Sequence, residues 1–253
     1  MAQPIITAHS GCEESEIDSL DSINIALDCG AEAVEIDVRV DKNGELRISH
    51  NEVSQEEYSK KLTLRKVFEY IRDTDLMVNC DLKEQAALYK TLEEAEKCGI
   101  SANRLILSGC TSPEQLARDI SLFDRAKFFL NIEEVIKFVW LRKNSIFDID
   151  QFINLMKDPW KIIKTEGLDH LESYINETVR CYKLLHANAV NMPKTLLDSL
   201  MARELQAEKI PLSIWTVNEP ELVQACLTDK VYNITTRKVR QALKIRDDYY
   251  KGV

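Results

Sequence analysis

The stretch VEIDVRVDKNGELRISHN, from Val34 to Asn51, carries the strongest structural signal in this chain. Its first residues alternate apolar side chains with Glu35 and Asp37, which predicts an interior strand of a parallel sheet, buried on both faces. Side chains two residues apart point to the same face of a strand, so the two carboxylates project together. Paired acids on a strand are usually solvated, but a buried pair needs a partner or a metal. The stretch therefore predicts a buried strand with two carboxylates at one place.

Short apolar segments alternate with amphipathic helical stretches along the rest of the chain. The helix predicted over Ser15–Cys29 has one apolar side and ends at Gly30, a residue typical of a helix C-cap. This alternation predicts an α/β protein, a single (β/α)8 TIM barrel formed by residues 1–253, with its active site at the carboxyl ends of the strands. The eight predicted strands are Ile5–His9, Ala33–Val38, Met77–Leu82, Arg104–Ser108, Lys127–Asn131, Ala189–Met192, Leu212–Thr216 and Tyr232–Thr236.

Two segments depart from this alternation. The turn DKNG, residues 41–44, predicts a hairpin that folds His50 back over the mouth of the barrel. The chain between strands five and six is longer than one return helix requires, which predicts extra helices after strand 5, over Phe147–Trp160 and Gly167–Leu185. These helices form a lid or a partner surface, or they are outer helices packed on the barrel wall.

Titratable residues follow the ends of the predicted strands. His9 follows the first strand, and Asp81 and Lys83 project from one face at the end of the third. A lone histidine is more often a hydrogen-bonded structural residue than a catalyst, and His170 and His186, on a predicted helix without a companion acid, are assigned no role. Three carboxylates together suit an oxygen-preferring ion such as Mg²⁺ or Ca²⁺. The residues expected at one mouth are His9, Glu35, Asp37, His50, Asp81, Lys83 and Trp215.

Composition and charge exclude several classes of protein. The net charge of -9 and the pI near 5.1 argue against a general nucleic-acid binder, so an anionic small molecule would need a local positive centre, such as a metal with Lys83. The seven cysteines are scattered and never in CxxC spacing, which is typical of free thiols in a reducing compartment. No apolar run has the length of a membrane span, and the first strand begins too close to Met1 for a signal peptide. We expect a cytoplasmic protein, whose oligomeric state the sequence does not indicate.

The motifs, in chain order, are AHSG, EIDS, EID, SHN, CDLK, WTVN and ITT. At these places the glycerophosphodiester phosphodiesterases carry HRG, PENT, ExD, HD, ExK, WTVN and ITD, and the chain resembles this family over nearly its whole length. The resemblance implies a metal-dependent barrel enzyme that hydrolyses glycerophosphodiesters to glycerol phosphate and an alcohol. It also implies acid and base roles for His9 and His50, metal ligation by Glu35, Asp37 and Asp81, and a substrate site that includes Ser10, Lys83 and Trp215.

The chain also differs from the family pattern. Ser10 replaces the arginine of HRG, Ile17 falls where PENT has its glutamate, Asn51 replaces the aspartate of HD, and Thr236 replaces that of ITD. The segment after His50 is short where the family usually has a small cap over glycerol, so a more open mouth is expected. Two further hypotheses stay open: a barrel that binds a phosphorylated ligand or partner without turnover, and a (lyso)phospholipid phosphodiesterase whose exposed apolar patch would lie at residues 147–160.

Overall fold

The computed structural model describes residues 3–143 and 168–252. Its strands are β1 Ile5–Ala8, β2 Ala33–Val40, β3 Leu46–Ile48, β4 Met77–Leu82, β5 Leu105–Gly109, β6 Lys127–Asn131, β7 Ala189–Pro193, β8 Leu212–Trp215 and β9 Asn233–Thr236. Its helices, within the described residues, are α1 Leu20–Cys29, α2 Gln55–Lys60, α3 Leu64–Ile71, α4 Ala87–Cys98, α5 Pro113–Ala117, α6 Ile132–Lys143, α7 Leu168–Leu185, α8 Leu200–Ala207, α9 Pro220–Thr228 and α10 Val239–Lys251.

The parallel strands close into a barrel. The order around the sheet is β1-β9-β8-β7-β6-β5-β4-β2, and β1 also pairs with β2, so the first and last strands of that series meet. The remaining strand, β3, is antiparallel to β2 and forms the predicted hairpin outside the ring. The predicted (β/α)8 fold is therefore confirmed, and each of the eight parallel strands directs its carboxyl end toward the same mouth.

The first helix is shorter than predicted. The sequence pattern indicated Ser15–Cys29, but α1 begins at Leu20 because the side chain of Ser19 accepts a hydrogen bond from the backbone N–H of Ser22, at 3.1 Å, and caps the helix there. The predicted end is confirmed, since Gly30 adopts a left-handed φ of 81° as the C-cap. The segment before α1 is consequently a turn, whose side chains are placed individually at the barrel mouth.

The two ends of the barrel differ in polarity. A small apolar cluster lies at the amino-terminal ends of the strands and is formed by Ile106, Phe129 and Ala189 with Met77 and Tyr232. The larger apolar core packs between the strands and the surrounding helices. Burial of these side chains stabilises the barrel by roughly 1.5–3 kcal/mol for each large one. The carboxyl end is left for polar and charged side chains.

The connection from β6 to β7 contains more than one helix, as predicted. Both α6 and α7 lie in it, while Phe147–Trp160, where we expected a helix and an apolar patch, lies outside the described residues. His186 does not lie on a helix, because it follows α7 with a left-handed φ of 50°. Within the described part of the chain, no helix has the length and the apolar character that crossing a bilayer requires.

Candidate active site

A cleft of about 280 Å³ opens at the carboxyl ends of the barrel strands. The barrel brings together side chains that are far apart in sequence, because every parallel strand ends at this mouth. Of the eight predicted site residues, Ser10 does not line the cleft. The seven that do are His9, Glu35, Asp37, His50, Asp81, Lys83 and Trp215.

Three carboxylates lie side by side on neighbouring strands. β2 and β4 pair in register, with Glu35 opposite Asn79 and Asp37 opposite Asp81. One oxygen from each of Glu35, Asp37 and Asp81 lies within 4.8 Å of the others. Glu35 and Asp37 are buried, and Asp81 is partly exposed to the cleft. At this spacing the three carboxylates can coordinate one cation.

The ammonium group of Lys83 already contacts this cluster. Its Nζ lies 2.5 Å from Oδ1 of Asp37 and is also paired with Oδ2 of Asp81. Burial lowers the pKa of Lys83, but the charges of Asp81 and Asp37 outweigh that effect and raise it, so the lysine stays charged. Burial raises the pKa of Asp37, but the contacts with Lys83 and His50 outweigh burial and lower that pKa overall.

The cluster has more negative charge than Lys83 compensates. Burial, reinforced by the charges of Asp37 and Asp81, raises the pKa of Glu35 well above the ordinary carboxyl range. Oxygen donors with excess negative charge are the ligand set that Mg²⁺ and Ca²⁺ prefer. The residues therefore fit a hard divalent cation, which would be held by Glu35, Asp37 and Asp81.

His9 is placed at the end of β1 with one ring nitrogen engaged. Its Nδ1 lies 3.1 Å from the carbonyl oxygen of Ser10 and 3.6 Å from Oε2 of Glu35. A carbonyl oxygen only accepts, so Nδ1 carries the proton that forms this bond, and Nε2 of the neutral ring is the acceptor nitrogen. Burial lowers the pKa of His9, which favours the neutral ring. His9 is therefore arranged to accept a proton at Nε2.

His50 is exposed but is held from several directions. Its Nδ1 lies 3.0 Å from Oδ2 of Asp37, although 64% of the side chain is exposed. Arg39 donates from Nε and from Nη2 to the carbonyl oxygen of His50, at 3.1 Å each. The backbone N–H of His50 donates to Asp18 at 3.4 Å. The hairpin thus carries His50 over the mouth, as predicted, and these contacts fix its orientation.

Asp18 was missed by the sequence analysis. Its backbone N–H donates to the hydroxyl of Ser10 at 2.9 Å, and that hydroxyl donates to Oδ1 of Asp18 at 3.2 Å. Ser10 is buried behind the cleft wall, so the predicted contact with substrate stays a prediction. Ile17, which occupies the glutamate position of the family motif, is exposed. The signal that points to Asp18 is the acid next to Ile17 in EIDS.

Thr236, another altered motif position, also has a local partner. Thr236 is buried, and its hydroxyl donates to the side-chain oxygen of Asn218 in the WTVN segment at 3.3 Å. Arg237, the next residue, donates from Nε to the carbonyl oxygen of Ser10 at 3.2 Å. A guanidinium therefore lies next to the position where the family pattern has its HRG arginine, but it comes from the opposite end of the chain.

Gly109, the last residue of β5, allows that strand to approach the acidic cluster. Its φ is +78°, and a Cβ there would overlap Oδ1 of Asp81 and the carbonyl oxygen of Leu82. The preceding Ser108 donates its hydroxyl to Asn79 at 2.9 Å. This contact surface between β4 and β5 sets the position of the third carboxylate.

The wall of the cleft formed by α6 carries a second group of charges. Glu133, Glu134 and Lys137 line it, and Nζ of Lys137 pairs with Oε1 of Glu134 at 2.6 Å. Among the described residues, Oε2 of Glu133 and Nε1 of Trp215 are buried without a hydrogen-bond partner. These two unpartnered atoms were not expected from the sequence.

Solved structures of the same fold include several phosphodiesterases. A glycerophosphodiester phosphodiesterase from Thermotoga maritima is similar with a TM-score of 0.68 at 19% identity, over 97% of this chain and 99% of that chain. One from Parabacteroides distasonis has a TM-score of 0.67 at 13% identity, over 98% and 100%. An Oleispira antarctica phosphodiesterase in complex with the product sn-glycerol-3-phosphate has a TM-score of 0.64 at 14% identity, over 97% of each chain.

At these identities the likeness shows the fold. No protein-family model matches the sequence, and the comparison with curated proteins gives no match. The chain therefore has the fold of the glycerophosphodiester phosphodiesterases with a strongly divergent sequence, as its motifs predicted.

Proposed function

We propose that this chain is a phosphodiesterase that hydrolyses glycerophosphodiesters to glycerol phosphate and an alcohol, with a bound divalent cation, Mg²⁺ or Ca²⁺. The observation that carries the proposal is the arrangement at one cleft of three adjoining carboxylates, Lys83 and two oriented histidines. A site that only bound a ligand would not need two proton-transfer groups beside the three carboxylates that can coordinate a cation.

The cation would be held by Glu35, Asp37 and Asp81, and when bound it supplies Lewis-acid stabilisation of negative charge on the phosphate. Lys83 orients Asp37 and Asp81 through its contacts with both and adds positive charge next to the phosphate. These residues bind and position the diester, and the histidines carry out the proton transfers.

His9 acts as the base and His50 as the acid. Nε2 of His9 takes a proton from the nucleophile, which is water or a neighbouring hydroxyl of the substrate, as the new P–O bond forms. His50 donates a proton to the departing alcohol oxygen as the old P–O bond breaks. The contact of Nδ1 of His50 with Asp37 leaves Nε2 as the nitrogen that makes this transfer.

Activity assays with matched histidine variants test the proposal. We expect purified protein to hydrolyse glycerophosphodiesters when Mg²⁺ or Ca²⁺ is added and to lose the activity in EDTA. His9→Ala and His50→Ala should each lower the rate by about 10²-fold or more, since each removes a proton-transfer group. His186→Asn is the control, because that exposed histidine lies outside the cleft and asparagine tolerates its left-handed φ.

One observation favours a second function. The residue that replaces the family arginine, Ser10, is turned toward Asp18 and adds no positive charge to the cleft. This supports a barrel that binds a phosphorylated ligand without turnover. Calorimetric binding of Mg²⁺ and of glycerol phosphate, with no hydrolysis of any diester, would establish that function and reject the enzyme. The cytoplasmic location and the organisation of residues 1–253 as one domain stay predictions.

A further inference from the structure

The carboxylate of Asp18 contacts both segments that carry the histidines, although Asp18 has no role in the mechanism above. Its Oδ1 accepts a hydrogen bond from the hydroxyl of Ser10 at 3.2 Å, and its Oδ2 accepts one from the backbone N–H of His50 at 3.4 Å. Ser10 follows β1, whereas His50 follows the hairpin strand β3. One side chain therefore joins two parts of the mouth that are far apart in sequence.

Ser10 determines which nitrogen of His9 is free to accept a proton. The carbonyl oxygen of Ser10 accepts the hydrogen bond from Nδ1 of His9 at 3.1 Å, which leaves Nε2 as the acceptor nitrogen. Asp18 holds Ser10 twice, because the backbone N–H of Asp18 also donates to the Ser10 hydroxyl at 2.9 Å. A displaced Ser10 would carry its carbonyl away from the ring, so these bonds act on the orientation and the tautomer of His9.

His50 depends on its backbone contacts for its position. With 64% of its side chain exposed, the ring has little packing around it. Asp18 holds the backbone of His50 at the N–H, and Arg39 holds it at the carbonyl oxygen. These hydrogen bonds therefore determine where the ring of His50 lies over the mouth.

The carboxylate of Asp18 is kept at an electrostatically unfavourable place. Burial and the negative charge of Asp37 raise its pKa, and the contacts with His50 and Ser10 offset this only in part. In the described part of the chain, no cationic side chain forms an ion pair with Asp18. The charge itself therefore adds no stability here, and what Asp18 supplies is its pair of hydrogen-bond acceptors.

We propose that Asp18 is a positioning residue that couples the two histidines, because it fixes Ser10 and His50 relative to each other. The base and the acid then keep one relative placement while the diester binds. This inference rests on the proposed function and adds a residue to it. Proton-transfer groups that are held in a productive geometry react faster, and a small displacement of either lowers the rate.

Two substitutions separate the hydrogen bonds of Asp18 from its charge and its backbone conformation. Asparagine and glycine both tolerate the left-handed φ of 60° at this position, so neither variant strains the turn. Asp18→Asn keeps an oxygen for the N–H of His50 and an amide that can donate to the second lone pair of the Ser10 hydroxyl. Asp18→Gly removes both contacts.

Steady-state kinetics on a glycerophosphodiester with Mg²⁺ compare these variants. For Asp18→Gly we expect a kcat about tenfold lower, the size of one lost hydrogen bond to a charged group, with KM and Mg²⁺ affinity within about twofold of wild type. Asp18→Asn should stay within about threefold of the wild-type kcat. Glu14→Gly is the control with wild-type kcat, because Glu14 also has a left-handed φ, 67°, but is 87% exposed and pairs with Lys238.

A double-mutant cycle distinguishes positioning from a general contribution to the fold. Asp18→Gly is combined with His50→Ala, and kcat is measured for all four proteins. Once the ring of His50 is absent, its placement no longer matters, so Asp18→Gly should lower kcat further by at most about threefold. A purely structural role predicts the same tenfold loss in both backgrounds.

Four results would overturn the inference. These are a kcat of Asp18→Gly above half of wild type, an equal loss in Asp18→Asn, an equal loss in Glu14→Gly, and an undiminished loss in the His50→Ala background. If Asp18→Gly fails to fold, Ser10→Ala removes the hydroxyl through which Asp18 holds Ser10. It should lower kcat by about threefold or more with little change in KM, and an unchanged kcat rejects the inference.

NMR spectroscopy separates this inference from the proposed function. If the wild type hydrolyses no diester, the proposed function fails, and the nitrogen chemical shifts of the His9 ring at about pH 8 still report which nitrogen carries the proton. We expect the Nδ1–H form in the wild type. In Asp18→Gly we expect a mixture of both tautomers and faster hydrogen exchange of the His50 backbone N–H. Identical ring shifts and exchange rates in the two proteins would reject the positioning role.

Discussion

The contact between Arg39 and His50 leads to a quantitative prediction. Two N–H groups of Arg39 donate to one carbonyl oxygen at 3.1 Å each, and the Arg39 side chain is 18% exposed. Hydrogen bonds from a charged donor are each worth about 1.5–3 kcal/mol, but water can rehydrate the carbonyl, so about 1.5 kcal/mol is a reasonable net loss for Arg39→Met. That loss lowers the equilibrium constant for correct placement of His50 by about tenfold.

The expected result for Arg39→Met is a kcat about tenfold lower, with KM and Mg²⁺ affinity within about twofold of wild type, because the variant weakens positioning without removing a ligand or a proton-transfer group. Steady-state kinetics on a glycerophosphodiester and calorimetric titration of Mg²⁺ measure these quantities. Arg47→Met is the matched control, since Arg47 lies on the same hairpin but bonds to Asp41 and to the carbonyl oxygen of Lys61. A kcat for Arg39→Met above half of wild type, or an equal loss in Arg47→Met, refutes the reasoning.

Other changes distinguish the proposed metal site from the scaffold. Gly109→Ala forces a Cβ against Asp81, so we expect weaker Mg²⁺ binding by calorimetry and a melting temperature lowered by several degrees. Because the pKa of Glu35 is raised, Glu35 stabilises the metal-free protein at pH values below the ordinary carboxyl pKa, and this stabilisation is lost as the pH rises through the raised pKa. Over the same rise in pH the affinity for Mg²⁺ should increase, because Mg²⁺ binding releases the proton of Glu35. Glu35→Gln should abolish this proton release. Arg246→Met breaks the 2.6 Å pair with Glu32 and should cost about 2 kcal/mol in urea unfolding without changing Mg²⁺ affinity.

The strand-borne part of the site could be predicted from the sequence. Glu35, Asp37 and Asp81 lie on buried strands, where the two-residue repeat determines which side chains share a face, and the barrel determines that the strand ends meet. The hairpin that carries His50 was predictable from the DKNG turn. Local pattern and topology therefore sufficed for these residues.

The residues that come from turns and helix starts could not be predicted in this way. Asp18 reaches Ser10 and His50 because it adopts a left-handed φ of 60° before α1, and no periodicity specifies such a conformation. Glu133 looks like an ordinary acid in the first turn of a helix, where acids are common. Lys137 pairs with Glu134 and not with Glu133, and this choice depends on the three-dimensional arrangement of the side chains.

The register between β2 and β4 has a consequence for altering this protein by design. Asp37 stands directly opposite Asp81, so their separation follows from the spacing of hydrogen-bonded strands, roughly 4.8 Å, and not from the length of any loop. The hairpin, the β5–α5 turn and the start of α6 form the rim around this pair. A cap grafted onto the rim, or a rim loop exchanged for another, would leave the carboxylate spacing unchanged. Selectivity can thus be re-engineered at the rim while the barrel preserves the dimensions of the proposed cation site.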